Sequence, residues 1–303
     1  MTECERIKET CKWSENFSLD DEVRCGYNVT EKLKKIWLVE LDLLKQLDNV
    51  CKKHNLTYWL GYGSLLGAVR HKGFIPWDDD LDVIMPRKDY SILKGLGDQF
   101  EFPFFLQTDE TDRDGGYFYS YIKLRNSNTS SITLKHRYQT FNMGISLDVF
   151  CLDDWDIREG EERYKKVTNL IIDNSNLMRS SMPAPSEEDL VRIRDYSGND
   201  PLENLREIHR LCTQFADGMH CCVANMTLYG HEKSVFEKKW FFDTIWVKFE
   251  TIEAPIPAGY DEILTRIYGD YMELPAVEKR GIWHSAEMDA DIPYELLRKE
   301  ITM

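Results

Sequence analysis

No run in this 303-residue sequence stays apolar for the roughly 20 residues that a membrane-spanning helix needs. The opening Met1-Thr2-Glu3-Cys4-Glu5-Arg6 also lacks the basic-then-apolar pattern of a secretory leader. A cytoplasmic protein with no transmembrane segment is expected, and peripheral contact with the inner face of the membrane stays open. An Asn28-Val29-Thr30 glycosylation tripeptide would then be silent. Positive charge is in short supply: 38 Lys and Arg face 53 Asp and Glu, a formal net charge of −15. That balance argues against nonspecific binding to nucleic acid or anionic lipid, so any phosphate site must be a local basic pocket. The 8 cysteines contain no Cys-x-x-Cys pair, and Cys221 and Cys222 are adjacent, which suits neither a zinc site nor a disulfide scaffold. Reduced thiols are expected. Repeats and low-complexity tracts are absent, while 42% hydrophobic content is enough for a real core, as one large domain or one domain with a helical extension.

What stands out is a small-residue turn followed closely by acids. Tyr58-Trp59-Leu60 reads as a short strand, and Gly61, Gly63 and Ser64 then open an apolar helix through Leu65-Leu66-Gly67-Ala68-Val69. A helix beginning there would aim backbone N–H groups and the positive end of its dipole at an anion. Ser64 fits two roles, an N-cap or a direct phosphate contact. Downstream, Trp77-Asp78-Asp79-Asp80-Leu81-Asp82-Val83-Ile84-Met85-Pro86 puts Asp80 and Asp82 on one face of a strand, because side chains at i and i+2 point the same way. Two carboxylates about 4 Å apart repel by roughly 4 kcal/mol at an effective dielectric near 20, a conflict that a hard cation such as Mg2+ or Mn2+ removes. A calcium loop starting at Asp78 is excluded, since its sixth position is Val83 rather than Gly and its twelfth is Asp89 rather than Glu. A solvated acidic turn is the plain alternative.

The flanking chain divides into three. Residues 1–27 are polar, carry three cysteines and have no clear period, so their structure is left open. Residues 28–155 form the catalytic core. Asn28 with Glu31 suggests a capping box for a long helix with Leu33, Ile36, Trp37, Glu40, Leu44, Leu47 and Cys51 on one side. A helix at 89–94 and strands at 104–107, 119–124 and 144–150 follow. Residues 156–303 read as mostly helical and packed on the core, with helix starts at Ser186 and Pro201, apolar positions continuing through Leu211 and Phe215, a strand at 241–249 and a loop at Pro255-Ile256-Pro257. Asp148 lies inside an otherwise apolar strand, Gly144-Ile145-Ser146-Leu147-Asp148-Val149-Phe150, where an unpaired charge is costly. A strand end near solvent, or a salt bridge to Lys123 or Arg125, would explain it. Beside the Asp80/Asp82 pair, the favoured reading makes Asp148 a third carboxylate, ligating the ion or accepting a proton from an attacking hydroxyl.

A Gly-Ser turn, an acid-x-acid strand and one acid on a later strand resemble the nucleotidyltransferase fold. Within that superfamily the run GYGSLLGAVRHKGFIPWDDDLDVIMP, residues 61–86, is similar to the LicD family, which includes bacterial phosphocholine transferases and is related to fukutin and fukutin-related protein. The likeness returns at Tyr260-Asp261-Glu262-Ile263-Leu264 and at Tyr268-Gly269-Asp270-Tyr271-Met272-Glu273-Leu274-Pro275, and spans about Leu56 to His284. It implies an α/β (α+β) fold, a mixed sheet flanked by helices with a largely helical C-terminal region. It also implies Asp80 and Asp82 as the metal pair, Asp148 as the third acid, Gly63 and Ser64 as the phosphate turn, and Arg70, His71 and Lys72 as the basic stretch between turn and acids. The implied activity is metal-dependent transfer of a phospho-alcohol, such as phosphocholine from CDP-choline or phosphoribitol from CDP-ribitol. The implied acceptor is a hydroxyl of a glycan or lipid-linked glycan, of teichoic acid or lipopolysaccharide type. Nucleic acid is not an expected partner.

Charge sets the remaining roles. Displacing CMP builds negative charge on the leaving group and the transferring phosphoryl, which cations stabilise. Arg70 and Lys123 are the candidate phosphate contacts, with Arg125 behind them, although surface charge is the common fate of such residues. Asp148 is preferred over His284 as the base. A choline head group would want aromatic faces, which Trp59, Trp77, Tyr117, Tyr119 or Trp283 can supply. Two rivals remain: a nucleotide-sugar glycosyltransferase using the acid-x-acid motif, and an inactive binding protein on the same scaffold.

Overall fold

The computed structural model describes residues 1–133, 136–180, 186–194, 197–214, 220–227, 234–281 and 286–302. The N-terminal segment, left open from sequence, is ordered and built into the core. Helix α1 (Glu3–Thr10) starts in a capping box between Thr2 and Glu5, and the hairpin β1 (Glu22–Arg24) and β2 (Tyr27–Val29) follows. Cys4 and Ile7 of α1 are buried, Arg6 pairs with Asp42, and Glu3 accepts from Asn126 Nδ2, so this segment is tied to two core elements.

The long helix α2 (Glu31–His54) is the central strut, and its N-cap corrects the expected capping box. Thr30, not Asn28, caps it by accepting from Leu33 N, because Asn28 is drawn into β2 opposite Val23. In chain order α2 is followed by β3 (Trp59–Leu60), α3 (Tyr62–Arg70), β4 (Leu81–Pro86), α4 (Arg87–Lys94) and β5 (Phe104–Gln107). Next come β6 (Ile122–Asn126), β7 (Ser130–Thr133) and the eleven-residue β8 (Ile145–Trp155). That strand runs five residues beyond the expected end at Phe150, since its second half acquires a new partner.

The C-terminal region supplies α5 (Gly160–Ser180), α6 (Glu187–Arg194) and α7 (Pro201–Thr213), then β9 (Cys222–Ala224) and β10 (Val235–Glu237). The hairpin β11 (Thr244–Phe249) and β12 (Ile252–Pro257) precedes α8 (Tyr260–Tyr268), β13 (Ala286–Asp289) and α9 (Tyr294–Thr302). Ser186 accepts from Asp189 N at the start of α6, as its sequence suggests, whereas Met182 to Pro185 and Phe215 lie outside the described residues. Pro255 to Pro257 is strand rather than loop. The prolines are tolerated because β11–β12 is a separate two-stranded hairpin in which they need not donate to a second neighbour.

The main sheet is mixed and runs β10-β9-β8-β4-β3, with β6 joined to β8 and β5 to β6. Strands β4 and β8 are parallel, and β6 lies antiparallel to β8. One large core joins α2, α3 and the sheet, where Trp37 stacks on Phe74 with ring centroids 4.9 Å apart. A second cluster holds α5 and α7 against the end of β8 around Trp155 and Val167. All 8 cysteines are free thiols. Among the described residues, no helix is long and apolar enough to cross a membrane.

Candidate active site

Sheet register creates the site. Asp82 on β4 lies opposite Asp148 on β8, and Asp148 lies opposite Lys123 on β6. Directly paired residues present their side chains on the same face, so these three form one polar row across three strands. Lys123 Nζ donates to both Asp148 oxygens at 2.5 Å, and Ser146 Oγ donates to Asp148 Oδ1 at 3.0 Å. Burial pulls the Lys123 ammonium below the ordinary lysine range, with Asp148 opposing that drift. The salt bridge weighed for Asp148 therefore exists, and it sits within the acid row.

The turn is bound to that row through Asp82. Gly61 N donates to the Asp82 carbonyl at 2.9 Å, and Asp82 N donates to Ser64 Oγ at 2.8 Å. Ser64 is thus not the N-cap of α3. The helix begins two residues earlier with Gly61 as cap and no side chain over its first turn, leaving Ser64 inside the helix to clamp the acid strand. Tyr62, its first residue, has a φ of +44°, a left-handed conformation that bulky residues adopt only under constraint. A Cβ on Gly63 would come within 2.9 Å of Asp78 Oδ2, so turn and acids meet at close range. Ser64→Ala strips the Asp82 amide of its acceptor and is expected to lower stability by about 1 kcal/mol, read by urea unfolding. An unchanged midpoint would discount the clamp.

The acids crowd one another. Burial chiefly, then Asp80, Asp148 and Asp78, push the Asp82 carboxyl well above the usual carboxylate range, with Lys123 pulling the other way. Glu40 of α2 is a residue that motif reading passed over. It is 1% exposed, its Oε2 has no hydrogen-bond partner, and burial chiefly, then Asp80, Asp79, Asp78 and Asp82, push its carboxyl well above the usual carboxylate range. The signal was available: a Glu on the apolar side of a helix. Asp79 is buried, and Trp37 Nε1 donates to the Asp78 carbonyl.

A cluster of hard carboxylate oxygens around Asp82 fits a Mg2+-type ion in chemistry. The third ligand is another matter. Among the described residues no three Asp, Glu, His or Cys side chains converge as a metal-binding group, and Asp148 is turned to Lys123. Asp80 and Asp82 remain the fitting pair.

The basic candidates part ways. Arg70 Nη1 donates to the Tyr271 and Glu273 carbonyls and its Nε to His71 Nε2, fixing the segment after α8. His71 is neutral at ordinary pH, since burial and the nearby Arg70 and Arg24 depress it to about 4. Lys72, the last of the basic stretch, donates its ammonium to the Val69 carbonyl at the end of α3. Arg125 lies behind Lys123, buried, with Nε on Gln107 Oε1 and Nη1 on the Gly144 carbonyl. His284 and Trp283 lie outside the described residues. Of the other aromatic candidates, Tyr117 is fully buried and donates to the Tyr121 carbonyl, Tyr119 pairs with His136, and Trp59 Nε1 donates to Thr244. Trp77 lines a cavity of about 500 Å3 that also touches Gly63, Arg70, Asp78 and Tyr268.

Residues 55–185 match the family model described as LicD/FKTN/FKRP, nucleotidyltransferase domain. The turn, the acid strand and β8 all lie within it, and this part of the chain is a nucleotidyltransferase domain. The likeness to the LicD family is carried by that domain, residues 55–185 of the 303. The chain is 26% identical over 264 residues to the lipopolysaccharide cholinephosphotransferase LicD of Haemophilus influenzae, covering 84% of this chain and 97% of that protein. Shorter stretches match uncharacterized proteins of Rickettsia prowazekii, 40% identical over 28% of this chain and 30% of that one, and Rickettsia typhi, 40% identical over 25% and 23%.

Proposed function

We propose that this protein transfers phosphocholine from CDP-choline to a hydroxyl of a cell-surface glycan or its lipid-linked precursor, of lipopolysaccharide type. The observation that carries this reading is the near end-to-end likeness to the Haemophilus influenzae cholinephosphotransferase. The acid row beside an uncapped helix start supports it, because phosphoryl transfer asks chiefly for positioning and charge stabilisation.

In this reading the first turn of α3 receives the donor phosphate, aided by the helix dipole. Asp80 and Asp82 would hold Mg2+ or Mn2+, which supplies Lewis-acid stabilisation of phosphate charge when bound. Lys123 places a cation against the same row. The acceptor hydroxyl oxygen forms the new P–O bond, the bond to CMP breaks, and the hydroxyl proton passes to Asp148. Lys123 and Ser146 orient that carboxylate for the task.

The test is CMP release from CDP-choline, CDP-ribitol and UDP-sugars, with Mg2+ or Mn2+ and with or without glycan acceptors. CMP release from CDP-choline that rises with acceptor is expected. Release of UDP alone would sink the reading in favour of a glycosyltransferase. Turnover of CDP-ribitol in preference would change the cargo and keep the reaction class.

A further inference from the structure

We propose that the cavity between α3 and the segment following α8 is the subsite for the cationic head group of the donor, a quaternary ammonium, with the phosphate end at the α3 turn. This rests on the phosphotransfer reading above and assigns the part of the donor that the acid row leaves without a partner.

Position comes first. Gly63 and Asp78 stand in the cavity wall, so the cavity opens directly beside the turn that meets the acid strand. The opposite wall is the chain after α8. Gly269, with φ at +72°, turns it sharply in a conformation that favours glycine, and Arg70 holds the next few residues in place through the Tyr271 and Glu273 carbonyls. Tyr271 in turn donates to Asp261, locking the wall to α8.

Chemistry comes next. Asp78, Asp270 and Glu273 line the cavity against Arg70 and Lys279, and Arg70 already spends donors on two carbonyls and on His71. Such a lining attracts a cation. A quaternary ammonium has no N–H to donate, so it needs ring faces and diffuse negative charge rather than aimed acceptors. Trp77 already has the Arg280 guanidinium 5.2 Å from its ring centroid. Tyr268 supplies the other ring: it is 42% exposed, lines the same cavity, and makes no ring or cation contact among the described residues.

The test uses the full chain and steady-state CMP release, with CMP as a competing product. Tyr268→Ala is expected to raise KM for CDP-choline about tenfold, the scale of a cation–π contact, with little change in inhibition by CMP. Tyr268→Phe should recover most of that loss, and Asp270→Asn should raise KM by a smaller factor. An unchanged KM in Tyr268→Ala overturns the proposal. So does equal weakening of CMP and CDP-choline, which would assign the cavity to the base. Should the wild type release no CMP from any donor, the phosphotransfer reading fails separately. Titration of choline itself, followed by tryptophan fluorescence, then decides the cavity: saturable binding lost in Tyr268→Ala supports it, and no binding overturns it.

Discussion

Asp82→Asn is expected to lose at least about a thousandfold in turnover, the scale of a lost Lewis-acid contact worth several kcal/mol at 1.36 kcal/mol per tenfold, while the protein stays folded. The two halves of that expectation have one cause. Asp82 lies among Asp80, Asp148 and Asp78, and its carboxyl is pushed up by burial and by all three. Removing its charge relieves repulsion that the protein alone does not neutralise, so the metal-free melting temperature should hold or rise. The backbone bonds from Gly61 and to Ser64 use the Asp82 carbonyl and amide, which the substitution leaves in place. CMP release and thermal melting, each with and without Mg2+, check both halves. Near-normal turnover would remove Asp82 from the chemistry, and a collapsed fold would make its role structural.

Local patterns make much of the fold and site legible in the sequence. The strand–turn–helix at Trp59–Arg70 depends on neighbours in sequence and folds as read, whereas β4 opens at Leu81, so Asp82 lies on it and Asp80 stands just before it. The hidden parts depend on distant partners. Asn28 looks like a cap because nothing local reveals that it pairs with Val23 in a hairpin. Ser64 looks like an N-cap because its hydroxyl's true partner is 18 residues ahead. Strand β13 pairs with β7 across more than 150 residues, and β9 extends β8 across nearly 70, so neither pairing has a local period to betray it. Lys72 sits in the basic stretch by sequence yet folds back on its own helix. Tyr268 is visible within a family-like motif, but its place beside the acids comes from α8 packing on α3.

Lys123→Met is the sharpest probe of the row as a unit, and it is expected to cost roughly 3 kcal/mol of stability together with most of the activity. Only 14% of the Lys123 side chain and 19% of the Asp148 side chain reach solvent, so truncating the cation leaves a carboxylate with little water to compensate it. That carboxylate also faces Asp82 across the sheet, which adds like-charge repulsion. The double variant Lys123→Met with Asp148→Leu should recover most of the stability, because replacing both members of such a pair by apolar groups is often neutral. It should not recover turnover if the reaction runs as proposed, with Asp148 taking the hydroxyl proton. Urea unfolding and CMP release on the two single variants and the double variant close the cycle. Additive stability losses would mean that the pair is not coupled, and an active double variant would take the Lys123–Asp148 half of the row out of the reaction.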